Sequence, residues 1–148
     1  MTKGPGGSAI QQYKQLDISS AVESASPHRL IQMLMERALQ NISLARANME
    51  QEKVVEKGER ISDAIGIING LQASLNHKHD PQLSANFDEL YGYMMRRLLE
   101  ANLKNDKAIL DEVAGLLREI KEAWDAIASD PMAALSLEER EKQFGDDG

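Results

Sequence analysis

Residues 90–106 read Leu-Tyr-Gly-Tyr-Met-Met-Arg-Arg-Leu-Leu-Glu-Ala-Asn-Leu-Lys-Asn-Asp, and this stretch decides the fold class. Its apolar residues recur at steps of three and four, which is the spacing of a helical face. One stripe consists of Leu83, Phe87, Leu90, Met94, Leu98 and Ala101, and a second stripe beside it consists of Tyr91, Met95 and Leu99. Together they span roughly half of the helix circumference, more than the ~100° arc that a small bundle buries. This excess of apolar residues predicts that another molecule covers part of the surface of the helix.

Two helical patterns precede this one. The first begins at Ser26-Pro27, where serine can cap a helix and proline suits its first position, and it runs to about Met49. The second covers about residues 54–77. The third helix, which contains the opening stretch, begins at Asp80-Pro81 or nearer Ser84.

A fourth helix follows the turn at residues 104–106, and we expect Asn105 and Asp106 to cap it. No segment alternates with the period of a strand, so the sequence predicts none. Four helices of ~20–25 residues with short connections predict an all-α fold, an antiparallel up-down four-helix bundle. Residues 26–128 would form this bundle. Residues 1–25 would be a flexible leader, and residues 129–148 a weak helix followed by a disordered acidic tail.

Composition excludes several classes of function. The chain of 148 residues holds 24 acidic and 17 basic residues, a net charge of −7, which argues against binding to nucleic acid. It has no cysteine, so disulfides and thiolate metal sites are absent. We find neither an apolar run of about 18 residues nor a secretory signal, and we therefore expect a cytoplasmic protein that does not insert into membranes.

The histidines raise two alternatives, a metal site and a phosphotransfer site. His77, His79 and Asp80 could ligate a metal, but the chain has no Glu-x-x-His pair of the kind that di-iron bundles use. Phosphotransfer needs an exposed histidine in the middle of a helix, whereas His28 lies in a first turn. No carboxylates or nucleophiles converge elsewhere. We expect neither catalysis nor a metal nor a cofactor.

Small residues on the second helix form a further pattern. Ser62, Gly66, Gly70 and Ser74 follow at four-residue steps, on the side predicted to lie opposite the apolar stripe. Glycine inside a helix costs about 1 kcal/mol relative to alanine, so the strip indicates either close approach of another helix or tolerated drift. The chain also has seven methionines and two phenylalanines, which suits an adaptable binding groove.

Three blocks of sequence resemble one known family. Residues 90–106 carry Leu-Tyr-x-Tyr-Met-x-x-Arg-Leu-x-x-Ala-Asn-x-x-Asn-Asp, residues 25–34 carry Ala-Ser-Pro-x-x-Leu-Ile-x-Met-Leu, and residues 112–124 run from Glu-Val to Trp. Over about residues 10–128 the chain resembles the FliS family of flagellar export chaperones. The resemblance implies a helical bundle that binds the disordered C-terminal segment of flagellin in the cytosol, prevents its polymerisation and presents it to the flagellar type III export apparatus.

This resemblance and the apolar surplus together predict the binding residues. We expect the flagellin-binding surface to include Gly66, Gly70, Tyr93, Met94, Met95 and Leu99. Four apolar residues of the leader, Ile10, Tyr13, Leu16 and Ile18, would fold back over the empty groove. A signalling or phosphotransfer module and an adaptor of another secretion system remain as alternative functions. For the chaperone itself, a weak homodimer is one possible state.

Overall fold

The computed structural model describes residues 26–76, 78 and 80–129. They form four helices, α1 (Pro27–Glu50), α2 (Val54–Ala73), α3 (Pro81–Lys104) and α4 (Lys107–Ser129). Each helix packs against its neighbours along the chain, and α1 also packs against α4, which closes the ring. Short connections make the neighbours antiparallel. The predicted four-helix bundle is therefore confirmed, and no strand occurs among the residues that the structure describes.

Local capping explains most helix ends. The Ser26 hydroxyl accepts from the Arg29 backbone N–H at 3.1 Å, and the Asp80 carboxylate accepts from that of Leu83 at 3.0 Å. The start of α3 is therefore at Pro81 and not nearer Ser84. The prediction for α2 was too long, because the helix ends at Ala73 in a turn where Ser74 bonds back to the Leu71 carbonyl.

The predicted caps of α4 divide between two helices. Asp106 caps α4, since its carboxylate accepts from the backbone N–H of Ala108 at 2.9 Å. Asn105 instead ends α3 in the left-handed conformation, with φ 54°. Asparagine tolerates this conformation better than most residues, which makes it a common helix terminator. The prediction that Asn105 caps α4 was wrong, because Asn105 caps the end of the preceding helix, α3.

The core is built from one apolar face of each helix. Its members are almost fully buried and include Leu34, Ala38, Ile42, Ile61, Ile68, Leu71, Tyr91, Met94, Leu98, Leu110, Val113 and Leu117. Phe87 and Trp124, predicted as core, are partly buried and pack against its edge. The periodicity of the sequence therefore located most of the core correctly.

A reciprocal contact between His28 and Trp124 joins the start of α1 to the end of α4. The rings stack with centroids 4.6 Å apart, and the planes differ by 6°. The imidazole Nε2 lies 2.8 Å from the Trp124 carbonyl oxygen, and the indole N–H donates to the His28 carbonyl at 3.0 Å. Because a carbonyl can only accept, Nε2 carries a proton. His28 is thus a structural residue at this end of the bundle.

Candidate functional site: a groove between α2 and α3

The predicted binding residues of α3 lie on different sides of that helix. Tyr93 faces α4, where its hydroxyl donates to Glu112 Oε2 at 2.6 Å. Met94 is 0% exposed and belongs to the core. A segment bound on the surface has no access to the Met94 side chain, and this residue is therefore removed from the predicted surface. The broad apolar arc of α3 serves the core and the surface at once, so spacing alone could not separate the two methionines.

Met95 and Leu99 lie on the side of α3 that faces α2. Ser84 identifies this side, because its hydroxyl donates to the Asn76 carbonyl just beyond the end of α2, at 2.9 Å. Eleven residues are close to three helical turns, so Met95 returns to within about 20° of the direction of Ser84. Leu99 follows one turn later and is 54% exposed. These two side chains border α2.

On α2, Ile65 faces Met95. The Gln72 side-chain amide donates to the Asp88 carbonyl of α3 at 3.1 Å, which places these residues level with each other. Since the helices are antiparallel, moving two turns along each from this contact leads to Ile65 and to Met95. Both side chains are only partly buried, and both pack against the core from outside. Together with Leu99 they form an apolar line on the surface.

Two glycines beside this line have different surroundings. A Cβ atom at Gly58 would meet nothing within 4 Å, so the surface is unobstructed there. A Cβ at Gly92 would approach the Arg96 guanidinium to 3.3 Å and the Gln72 amide to 3.8 Å. We define the α2–α3 groove by Gly58, Ile65, Gln72, Gly92, Met95 and Leu99.

Each end of the groove opens into a cavity. Around Gln72 and Gly92 lies a wide depression of about 870 Å³, which Tyr93 also lines and whose other walls are mainly polar. At the opposite end a smaller cavity of about 250 Å³ lies between the start of α2 and the end of α3, lined by Val54, Lys57 and Leu103 among others. Leu103 is 86% exposed. The apolar surface thus continues beyond the groove toward this smaller cavity, which we call the Lys57 cavity.

The predicted strip of small residues is not one surface. Gly66 lies 100° around α2 from Ile65 and faces open space. Gly70 is buried on the side of α2 away from Gln72 and α3, and in the ring of four helices that side packs against α1. The strip therefore does not form one solvent-facing surface, and at Gly70 it is a neighbouring helix of the bundle that comes close. A helix between two neighbours buries a wider arc than one stripe.

The opposite side of α3 carries a polar cluster. Glu112 of α4 accepts from Tyr93 and, at 2.8 Å, from Arg97 Nε. Arg97 also donates to Glu100, which accepts from Lys104 as well. The hydrogen bond from Tyr93, reinforced by that from Arg97, holds the pKa of Glu112 below its ordinary value of 4.5. The same bond raises the pKa of Tyr93. The cluster ties α3 to α4.

The lowered pKa of Glu112 predicts that the contacts between α3 and α4 made by this residue weaken at acid pH. A carboxylate with a lowered folded-state pKa stabilises the fold above its unfolded pKa and loses that contribution as pH falls through the folded value. We expect Glu112 to contribute fully above about pH 4.5 and progressively less below it. In Glu112→Gln the loss of stability caused by protonation of Glu112 at acid pH disappears. The midpoints of urea unfolding, measured over a series of pH values, test this expectation.

A matched control for this prediction is available on the same helix. The Glu119 side chain makes no hydrogen bond or ion pair with any other residue that the structure describes. Glu119→Gln should therefore keep the pH profile of the unmodified protein. An unchanged profile in Glu112→Gln would show that the Tyr93 and Arg97 contacts do not stabilise the folded state.

Sequence reasoning missed the α2 wall of the groove and the buried Lys57. Ile65 was counted with the core stripe, and Gly58 and Gly92 carried no pattern of their own. Lys57 did carry a signal, because it stands four residues before Ile61 at a position where the apolar stripe predicts a hydrophobic residue. A charged residue at a core position calls for a specific partner.

Other predictions fall outside these contacts. The leader residues Ile10, Tyr13, Leu16 and Ile18 and the tail lie outside the described residues, as do His77 and His79. Within residues 26–76, 78 and 80–129, no cluster of three or more His, Asp or Glu side chains could hold a metal ion. None of the helices described here is both long and apolar enough to cross a membrane.

Comparison with known proteins identifies the family. The sequence model of the family described as flagellar protein FliS matches residues 9–131. The chain is 48% identical to flagellar secretion chaperone FliSB of Pseudomonas aeruginosa over 120 residues, 81% of this chain and 95% of that protein. It is 50% identical to flagellar secretion chaperone FliS of Salmonella typhimurium, over 82% of this chain and 90% of that protein. The FliS of Bacillus subtilis is 38% identical over 78% and 86%. The family model covers the whole four-helix bundle, and the chain belongs to the FliS family of flagellar proteins.

Proposed function

We propose that this protein is a cytoplasmic export chaperone that binds the disordered C-terminal segment of flagellin. Binding would prevent premature polymerisation of flagellin and help to deliver it to the flagellar type III export apparatus. Family membership supports the role. The single structural observation that carries the proposal is the apolar line in the α2–α3 groove, in which Ile65 and Met95 are partly buried and Leu99 is 54% exposed. The chaperone role requires no enzymatic activity, no cofactor and no nucleic acid.

The groove suits an amphipathic helix. Such a segment can place residues spaced at three and four against Ile65, Met95 and Leu99, and Gly58 lets its backbone come close. Burial of a large apolar side chain contributes about 1.5–3 kcal/mol when it is complete. Since these three are already partly buried, we assign them together no more than about 3–5 kcal/mol.

The free energy gained by apolar burial in the groove is similar to the free energy lost when the bound segment becomes ordered. A disordered segment that folds on binding loses about 2–5 kcal/mol to ordering. The groove alone therefore supports at most weak binding, and a stable complex needs more apolar contact. The exposed side chains of Leu103 and Val54 continue the surface at one end and are 86% and 68% exposed. We infer that the bound segment extends past the groove and covers them.

The experiment that tests the function is a titration of the flagellin C-terminal segment into the purified protein by calorimetry, with circular dichroism of the mixture. We expect one-to-one binding, with more helix in the mixture than in the separate components. Absence of binding would refute the chaperone proposal and leave the bundle without its partner.

The leader proposal is tested in the same assay. If Ile10, Tyr13, Leu16 and Ile18 cover the empty groove, then deletion of residues 1–20 should raise the affinity for the segment or increase self-association of the free protein. An unchanged affinity and an unchanged oligomeric state would refute the proposal. The same measurement of oligomeric state decides whether the free protein forms a weak homodimer.

A further inference from the structure

We propose that the Lys57 cavity binds the terminal carboxylate of the flagellin segment. This inference rests on the proposed function and adds to it a fixed end point and a direction for the bound segment. The chemistry recognised is a carboxylate, a backbone N–H and an apolar side chain carried by one residue, which is the last residue of a polypeptide. Lys57, Asn48 and the pair Val54 and Leu103 would supply the three complementary contacts.

The first argument is the charge of Lys57. This side chain is 6% exposed and is the one buried Lys, Arg, Asp or Glu in the described part of the chain. Its ammonium donates to the Asn102 carbonyl and to the side-chain oxygen of Asn105, both at 3.1 Å. Both acceptors are neutral, and no carboxylate among the described residues pairs with it. An ammonium has three N–H donors, so one remains for an anion, which would offset the cost of burying the charge.

The second argument is an acceptor beside this cation. Asn48 also lines the cavity, and its side-chain oxygen is buried without a hydrogen-bond partner. Because a buried acceptor without a donor costs free energy, an N–H of the ligand gains on binding once the cavity wall moves to admit it to this oxygen. The last residue of a peptide carries such an N–H close to its carboxylate. An internal Asp also has an N–H near its carboxylate, but its side chain ends in that carboxylate and leaves no apolar group to contact Val54 and Leu103.

The third argument is the apolar wall and its continuity with the groove. Leu103 follows Leu99 by one turn of α3, and Val54 faces the same cavity from the start of α2. A segment lying along Met95 and Leu99 therefore reaches the cavity without a change of direction. The volume of about 250 Å³ has room for one apolar residue together with its carboxylate. The cavity lining carries two cations, Lys53 and Lys57, and one anion, Glu52, so its net charge is positive. Charge, hydrogen bonding and position thus favour the same ligand.

The test compares two synthetic peptides of the flagellin C-terminal segment. They share one sequence, and one ends in a free carboxylate while the other ends in a carboxamide. We expect the carboxamide to bind the unmodified protein about tenfold more weakly or worse, as loss of a charge-assisted hydrogen bond predicts. In Lys57→Gln the two peptides should bind equally. In Lys78→Gln, a change of an exposed lysine in the α2–α3 connection at the other end of the bundle, the difference should persist.

The outcomes separate this inference from the proposed function. Equal binding of both peptides to the unmodified protein would overturn the carboxylate site while leaving the chaperone function in place. A difference that persists in Lys57→Gln would also overturn it, since the carboxylate would then be bound elsewhere. If neither peptide binds, the proposed function fails, and the inference fails with it. The first comparison uses the unmodified protein, so it does not depend on how well Lys57→Gln folds.

Discussion

Joint replacement of Met95 and Leu99 by aspartate is expected to weaken binding of the flagellin segment at least about a hundredfold, or about 2.7 kcal/mol. Both side chains border the α2–α3 groove, and Leu99 is 54% exposed. The double variant loses their apolar burial and places two carboxylates where the partner would have to desolvate them. Calorimetric titration measures the affinity, and circular dichroism should show that the variant keeps its helix content.

The control for this variant is Leu83→Asp. Leu83 is on the same helix and is 41% exposed, but it lies about 160° around α3 from Leu99. A general effect of added charge would weaken binding in both variants, whereas our proposal predicts a loss only at Met95 and Leu99. Unchanged affinity in the double variant would remove the α2–α3 groove from the binding surface.

The adjacent methionines should respond in opposite ways to truncation. We expect Met94→Ala to lower the free energy of unfolding by about 2–5 kcal/mol, because the side chain is 0% exposed and its loss leaves a cavity in the core. Met95→Ala should cost less than about 1.5 kcal/mol, since its side chain is only partly buried and the site can collapse. Urea unfolding followed by circular dichroism measures both values.

Binding distinguishes the roles of this pair further. Under conditions where both variants are folded, Met94→Ala should keep the affinity of the unmodified protein for the flagellin segment, and Met95→Ala should weaken it. If Met94→Ala lowers the affinity while remaining fully folded, Met94 takes part in binding through a rearranged core. Equal losses of stability at the two positions would contradict the burial described here.

Helix positions were predictable from local chemistry. Ser26-Pro27 and Asp80-Pro81 place a cap before a proline, a combination that favours a helix start wherever the rest of the chain lies. The apolar periodicity likewise identified Leu34, Ile61, Leu98 and Val113 as core. The errors occurred where local signals compete. Asn105 can cap either of two helices, and only its backbone conformation assigns it to α3.

The candidate site depended more strongly on packing. Sequence spacing placed Tyr93, Met94, Met95 and Leu99 on one wide apolar arc of α3, without saying which part of that arc meets another helix. The hydrogen bond from Tyr93 to Glu112 shows that one side of α3 faces α4. The hydrogen bond from Ser84 to the Asn76 carbonyl, just beyond the end of α2, shows that another side of α3 faces α2. Residues 100–200° apart on one helix thereby belong to the core, to the groove or to the polar cluster.

The amino-acid sequence by itself determined four helices, the caps at Ser26, Asp80 and Asp106, and the apolar faces, because these features depend on residue types within a few positions of each other. Three blocks in order between residues 25 and 124 likewise indicated the FliS family. Only the tertiary structure decided that Ile65 faces Met95 and that Lys57 lies at the end of α3, 45 residues away along the chain. Such pairings depend on the relative rotation and level of antiparallel helices. Many side-chain contacts set that geometry together, and no local spacing encodes it.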